Sequence, residues 1–277
     1  MTASWGYSLT DLVRYSGAAQ DFNTIHHDAP AARDAGFAGI VAHGMLTLGC
    51  VLAHLADDAG PAGLTACRAR FRAPVYLDTP ITVTAKDRAG GADLIVTCGD
   101  TVALTVEADL GSRPPLPALP GEEPVADHCL CVERGALTRL AHAVDAKSPI
   151  WYDARAAAEA GFADVPGIPT LAFALPALGW YPDGQSGPGS ARPDPVADSA
   201  RWARSSGPVV HGGQTFAYHR PLVAGETVRS RHWITGRTTK TGRAGELRFT
   251  DVTQLITGSG GEPVVSATAT LLATGPV

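Results

Sequence analysis

Residues 25–48 read IHHDAPAARDAGFAGIVAHGMLTL, and residues 150–173 read IWYDARAAAEAGFADVPGIPTLAF. Asp153, Gly161 and Phe162 lie at one constant offset, 125 positions, after Asp28, Gly36 and Phe37. An offset held over so many positions marks a duplicated folding unit. At that offset His26 becomes Trp151, His27 becomes Tyr152 and His43 becomes Ile168, so the first copy keeps imidazoles that the second has lost. Chemistry is expected from the first copy and support from the second.

Working outward, residues 9–20 have amphipathic helical spacing, and Asp28 before Pro30 reads as a helix start. Residues 44–56, GMLTLGCVLAHLA, are apolar nearly all round, which predicts a buried helix of roughly 20 Å. Four strand-like segments follow at 65–76, 81–87, 93–99 and 101–110, separated by Asp, Pro and Gly. The second copy repeats the order, with apolar 170–180 and then strands at 214–220, 227–236, 246–257 and 263–273. A buried helix followed by antiparallel strands implies a sheet curled round one helix, and two such units packed together form one continuous sheet.

Prolines at 114, 115, 117, 120 and 124 make residues 111–124 the connection between the units. The expected division is 1–112, a linker at 113–126, and 127–277. Pro221 lies 147 positions after its counterpart Pro74, so the second copy has gained 22 residues, coinciding with the loop-like stretch PDGQSGPGSARPDP at 182–195.

Composition narrows the function classes. Lys+Arg 22 against Asp+Glu 27 gives a net charge of −5, which argues against a broad nucleic-acid-binding surface. No apolar run reaches the ~20 residues needed to span a bilayer, and the first residues do not read as a secretory leader, so a cytoplasmic location is expected. The five cysteines are scattered; Cys129 and Cys131 flank Leu130 and read as reduced, small apolar residues rather than metal ligands. Phosphate-cradling glycine loops, redox-cofactor motifs and metal clusters are not seen, so no cofactor and no metal are expected.

Asp21 and His26 bracket Phe22-Asn23-Thr24-Ile25 between a helix and the Asp28 turn. A carboxylate and an imidazole converging on one substrate divide proton removal and delivery between them. His43-Gly44 then opens the buried helix, where free N–H groups and the helix dipole favour a developing negative charge. Glycine lets a carbonyl oxygen approach the main chain. For His43 a local hydrogen-bonding role is expected.

The run Tyr15-Ser16-Gly17, then Asp21-Phe22-Asn23, Ile25-His26 and Asp28, then Gly36-Phe37 and Ile40-Val41-Ala42-His43-Gly44-Met45-Leu46-Thr47 closely resembles the MaoC-like hotdog hydratases and dehydratases. These include (R)-specific enoyl-CoA hydratases and the catalytic subunit of (3R)-hydroxyacyl-acyl carrier protein dehydratases. The second copy, with PIWYDARAAAEAGF and HGGQTFAYHRPLVAGET, resembles their non-catalytic partner. The resemblance spans almost the whole chain and implies an α+β double hotdog, in which Asp21 and His26 fall on the catalytic pair, Asn23 on a supporting asparagine and Gly44 on the oxyanion amide. The family usually has Ser-Gly before the aspartate and Pro after the asparagine; here stand Ala19-Gln20 and Thr24. The catalytic unit comes first, unlike in the eukaryotic double hotdogs.

The implied reaction is reversible syn dehydration of (3R)-hydroxyacyl thioesters, in fatty-acid or polyketide synthesis. Hydration of enoyl-CoA in lipid breakdown is an alternative, as is a non-catalytic acyl-thioester binding protein, and which of Asp21 and His26 is the base stays open. Pro166, Pro169 and Pro176 imply an incomplete second central helix, leaving an acyl tunnel lined by Leu171, Phe173 and Trp180; ordinary core packing is the alternative. Arg70 and Arg72, with Arg68 on the same strand face, are candidates for carrier phosphates, as are Arg201 and Arg204 or Arg229 and Arg231. Partners are an acyl thioester on CoA or acyl carrier protein, with no nucleic acid and no membrane, the chain being a monomer or a homodimer.

Overall fold

The computed structural model of the chain describes residues 2–60, 63–178, 195–205, 209–242 and 245–274. The first unit runs β1 (Thr2–Trp5), α1 (Leu9–Ala19), a 3₁₀ turn at Thr24–His26, α2 (Ala29–Asp34) and α3 (Gly44–Ala59). Strands β2 (Leu64–Phe71), β3 (Ile81–Arg88), β4 (Gly91–Cys98) and β5 (Thr101–Leu110) follow. The second repeats it as β6 (Ala126–Cys131), α4 (Arg134–Ala143), a 3₁₀ turn at Pro149–Trp151, α5 (Ala154–Glu159) and α6 (Leu171–Leu178). After an added α7 (Pro195–Ala203) come β7 (Val209–Tyr218), β8 (Thr227–Gly242), β9 (Gly245–Gly258) and β10 (Pro263–Thr274).

The ten strands form one sheet in the order β1-β3-β4-β5-β2-β7-β10-β9-β8-β6, which reads the same from either end once the duplication is allowed for. The seam is the antiparallel pair β2 and β7, where buried Cys67 faces buried Phe216. Each unit alone would present this strand as an open edge, and pairing removes it. The two outer edges are β1 and β6, of only four and six residues.

Local chemistry explains why both copies fold alike. Asp28 accepts the Ala31 N–H at 2.8 Å and Asp153 accepts the Arg155 N–H at 2.7 Å, so each caps its short helix. Gly36 and Gly161 carry φ of +89° and +90°, where a side chain would be strained. Ser8 and Asp11 cap α1 reciprocally, Ser8 N–H donating to the Asp11 carboxylate at 2.9 Å. The strand expected over 65–76 ends at Phe71; Pro74 lacks an N–H, and the chain turns so that the Val75 carbonyl accepts the Ala42 N–H at 2.8 Å.

The central helices differ. α3 has sixteen residues and buries Leu46, Leu48, Val51 and Leu52, whereas α6 has eight and contains Pro176. Gly49 lets α3 reach the second unit: a Cβ there would stand 2.7 Å from Val144 Cγ1. Part of the 22-residue gain is not loop but α7, which lies on β7, β9 and β10. The rest of that stretch, and Trp180, lie outside the described residues. All five cysteines are unpaired thiols, and among the described residues no helix is long and apolar enough to cross a membrane.

Candidate active site

The 3₁₀ turn after α1 is built by two short side chains. Asp21 accepts the Asn23 N–H at 3.2 Å, and Asn23 in turn accepts the Ile25 N–H at 3.4 Å. Together they aim His26 inward, leaving it 7% exposed. Its Nδ1–H donates to the Val41 carbonyl at 2.6 Å, so Nε2 carries the lone pair. Val41 is itself anchored, by a bridge to Tyr76 and by its N–H on the Ile25 carbonyl at 3.1 Å.

His43 stacks on His26, ring centroids 3.7 Å apart at 26°, with Tyr15 tilted against its other surroundings at 4.9 Å. Its Nε2 is 3.2 Å from both the Asp21 carbonyl and Ser16 Oγ, which ties the Asp21 main chain to α1 and to the start of α3. Burial drives both imidazoles to the neutral form. His43 falls to about 2, with His26 adding to the effect, while for His26 the lowering by burial is opposed by the charge of Asp21. Gly44, the first residue of α3, has an N–H with no intrahelical partner. A Cβ there would lie 2.9 Å from Phe71 Cε1, so only glycine fits without moving that ring.

One potential ligand atom each from Asp21, His26 and His43 falls within 4.8 Å of the others. His26 Nδ1 and His43 Nε2 are already engaged with main-chain carbonyls. The arrangement suits proton transfer better than chelation. Carboxylate, free imidazole nitrogen and helix-start amide are what elimination beside a carbonyl needs.

The corresponding place in the second unit has been turned to structure. Trp151, where the first unit has His26, is 1% exposed and donates its Nε1–H to Asp57 Oδ1 of α3 at 2.6 Å. Asp57 also accepts the N–H groups of Lys147 (2.8 Å) and Ser148 (3.1 Å), binding the units together.

The other expected residues divide. Phe173 lines a cleft of about 670 Å³, open mouth included, between α6, α7 and the second half of the sheet. Leu171 instead packs in the core, 1% exposed. Arg70 and Arg72 are exposed and alternate with Phe71, whose ring packs on Gly44, so they project from the opposite face of the sheet and are not brought to the trio. Arg229 pairs with Asp127 and Arg201 with Asp198. Sequence reading gave no role to Val41, Ser16, Phe71 or Asp57; Ser16 and Val41 stood inside the recognised motif, but Val41 acts through its main chain and Phe71 and Asp57 through packing and long-range contact, which leave no spacing signal.

Two family models match the chain: the MaoC-like domain over residues 4–107, and the FAS1-like dehydratase domain region over residues 118–267. A UPF0336 protein of Saccharopolyspora erythraea is 31% identical over 144 residues, 52% of this chain and 81% of its own length. Another, of Leifsonia xyli, is 33% identical over 159 residues, 57% of this chain and 95% of its own. Among solved structures, a putative MaoC domain protein dehydratase from Chloroflexus aurantiacus superposes with a TM-score of 0.69 at 12% identity, covering 100% of this chain and 95% of that one. A Mycobacterium tuberculosis protein described as a double hotdog fold superposes at 0.60 with 13% identity, covering 98% and 95%. With both halves matched and the fold shared, the chain belongs to the MaoC-like and FAS1-like dehydratases, as a double hotdog protein of the hydratase or dehydratase type.

Proposed function

We propose that the chain catalyses the reversible syn dehydration of (3R)-hydroxyacyl thioesters to trans-2-enoyl thioesters, in fatty-acid or polyketide chain synthesis, on coenzyme A or an acyl carrier protein. The observation that carries this reading is His26: its Nδ1–H is held by the Val41 carbonyl, its ring clusters with Asp21 and His43, and the stacked His43 leads directly into the Gly44 amide.

The pair works with one proton. In the dehydration direction it sits on Asp21; neutral His26 takes the α-proton, the electrons move through the enolate to form the double bond, and the C3–oxygen bond breaks. Asp21 gives its proton to the departing hydroxyl, which leaves as water. His26 then holds the proton, ready for the reverse addition. The Gly44 N–H donates to the thioester oxygen as it becomes an enolate. Residues 1–112 act as the catalytic unit, 113–126 as the connection, and 127–277 as the unit that receives the acyl chain.

The test is hydration of crotonyl-CoA and longer enoyl thioesters, on coenzyme A and on carrier protein, with product stereochemistry determined. The (3R) product is expected, and Asp21→Asn or His26→Ala lowers kcat by roughly 10² to 10⁴. Activity of either variant within a few-fold of the parent rules out the assignment.

A further inference from the structure

The cleft of the second unit is lined by Phe173, Pro176, Trp202, Gln214, His232 and Leu271, among others. It lies beside α6, described over eight residues, whereas α3 of the first unit has sixteen. Its inner end adjoins the catalytic unit through three rings. His211 lies 5.2 Å from Phe173 and 5.0 Å from Phe71, and Phe71 packs on Gly44.

A β-bulge sets what this wall displays. His211 is paired with Leu271 and Gln214 with Ala269, and the register shifts between Thr270 and Leu271. Positions three apart on a regular strand point to opposite faces; the extra residue brings His211 and Gln214 to the same one. Gln214 is 2% exposed and His232 8%, and both line the cleft, yet Gln214 Oε1 and His232 Nδ1 have no hydrogen-bond partner among the described residues. Burial lowers the His232 imidazole to about 4, with His128 adding to the effect, so it is neutral. Leaving such groups unpaired is unfavourable unless a ligand pairs with them.

Gln214 Oε1 can only accept, and a neutral imidazole nitrogen accepts or donates according to its tautomer. A hydroxyl serves both. A hydrocarbon chain serves none, and a ketone or carboxylate oxygen cannot donate to Gln214. Resting on the proposed dehydration, we infer that the cleft selects thioesters whose acyl chain carries hydroxyl groups beyond C3, read by Gln214 and His232.

The test compares two enoyl thioesters of equal chain length, one plain and one with distal hydroxyls, on the full chain. The hydroxylated substrate is expected to have a kcat/KM at least tenfold higher. Gln214→Leu and His232→Phe are expected to bring the two within about threefold, mostly by raising KM for the hydroxylated chain, with circular dichroism unchanged. Equal or better turnover of the plain chain overturns the inference and leaves the dehydration standing. If neither is turned over, the dehydration reading fails; calorimetric binding of the same two thioesters then decides the cleft's preference, tighter binding of the hydroxylated one supporting it and equal or weaker binding overturning it.

Discussion

The Ala172 carbonyl accepts a hydrogen bond from the Gln254 side chain, Nε2 to oxygen 3.0 Å, four residues before Pro176. In an unbroken helix that carbonyl takes the N–H of residue 176, which proline lacks. Gln254 supplies the missing donor from β9 and is itself positioned, its Nε2 also 2.9 Å from Ser230 Oγ. The sheet thus supplies the donor that Pro176 lacks, at the cleft both residues line. Gln254→Leu should destabilise the protein by about 1–3 kcal/mol in denaturant titration, by leaving a buried carbonyl unpaired. Adding Pro176→Ala should recover part of the loss, because residue 176 regains an N–H; strictly additive effects would refute the link.

Asp57 holds the two units together through Trp151 and the Lys147 and Ser148 amides. Asp57→Ala should therefore lower stability by roughly 2–5 kcal/mol, since three donors lose a charged acceptor and one belongs to a buried indole. Trp151→Phe, which removes one of the three bonds and leaves a cavity where the indole was buried, should lower stability by about 1–3 kcal/mol. A chemical melt with an unchanged midpoint for Asp57→Ala contradicts this account.

Gly44, the proposed oxyanion amide, is confined by Phe71. Gly44→Ala should lower kcat and cost about 1–3 kcal/mol of stability, because the new methyl group meets the ring. Phe71→Leu in the same chain should restore most of the stability. The check is a thermal melt alongside steady-state kinetics of both variants.

The neutral, buried histidines make stability depend on pH. His43 is lowered to about 2, and His211 and His232 to about 4, against about 6.5 in the unfolded chain. Below pH 6.5 the unfolded state binds protons that the folded state refuses, so stability falls as pH falls. At pH 5 each contributes about 2 kcal/mol to the loss. The Tm should drop steeply between pH 7 and pH 5, and His232→Phe should flatten that drop by about a third. Equal slopes for parent and variant would show that His232 titrates normally.

Much of the plan was written in local patterns. The 125-residue repeat fixes two copies of one unit because Asp28 and Asp153 cap helices, and Gly36 and Gly161 turn with positive φ, wherever they occur. Asp21, His26 and Gly44 stood out because a site held on one turn and the next helix start lies close in sequence. The expected helix 44–56 and the strands fell near their places, since alternation and apolar spacing follow from burying one face.

Long-range placement was not legible in that way. Alternation put Arg68, Arg70 and Arg72 on one face of a strand but not which face meets the helix. Nor did it reveal the bulge that brings His211 beside Gln214, because a register shift depends on the neighbouring strand. Val41 orients His26 with a main-chain carbonyl that any residue possesses, and Gln254 reaches Ala172 across 82 positions. Such contacts arise only when distant segments pack, so Asp21, His26 and Gly44 could be named from the chain, while the shape and polarity of the cleft came from folding.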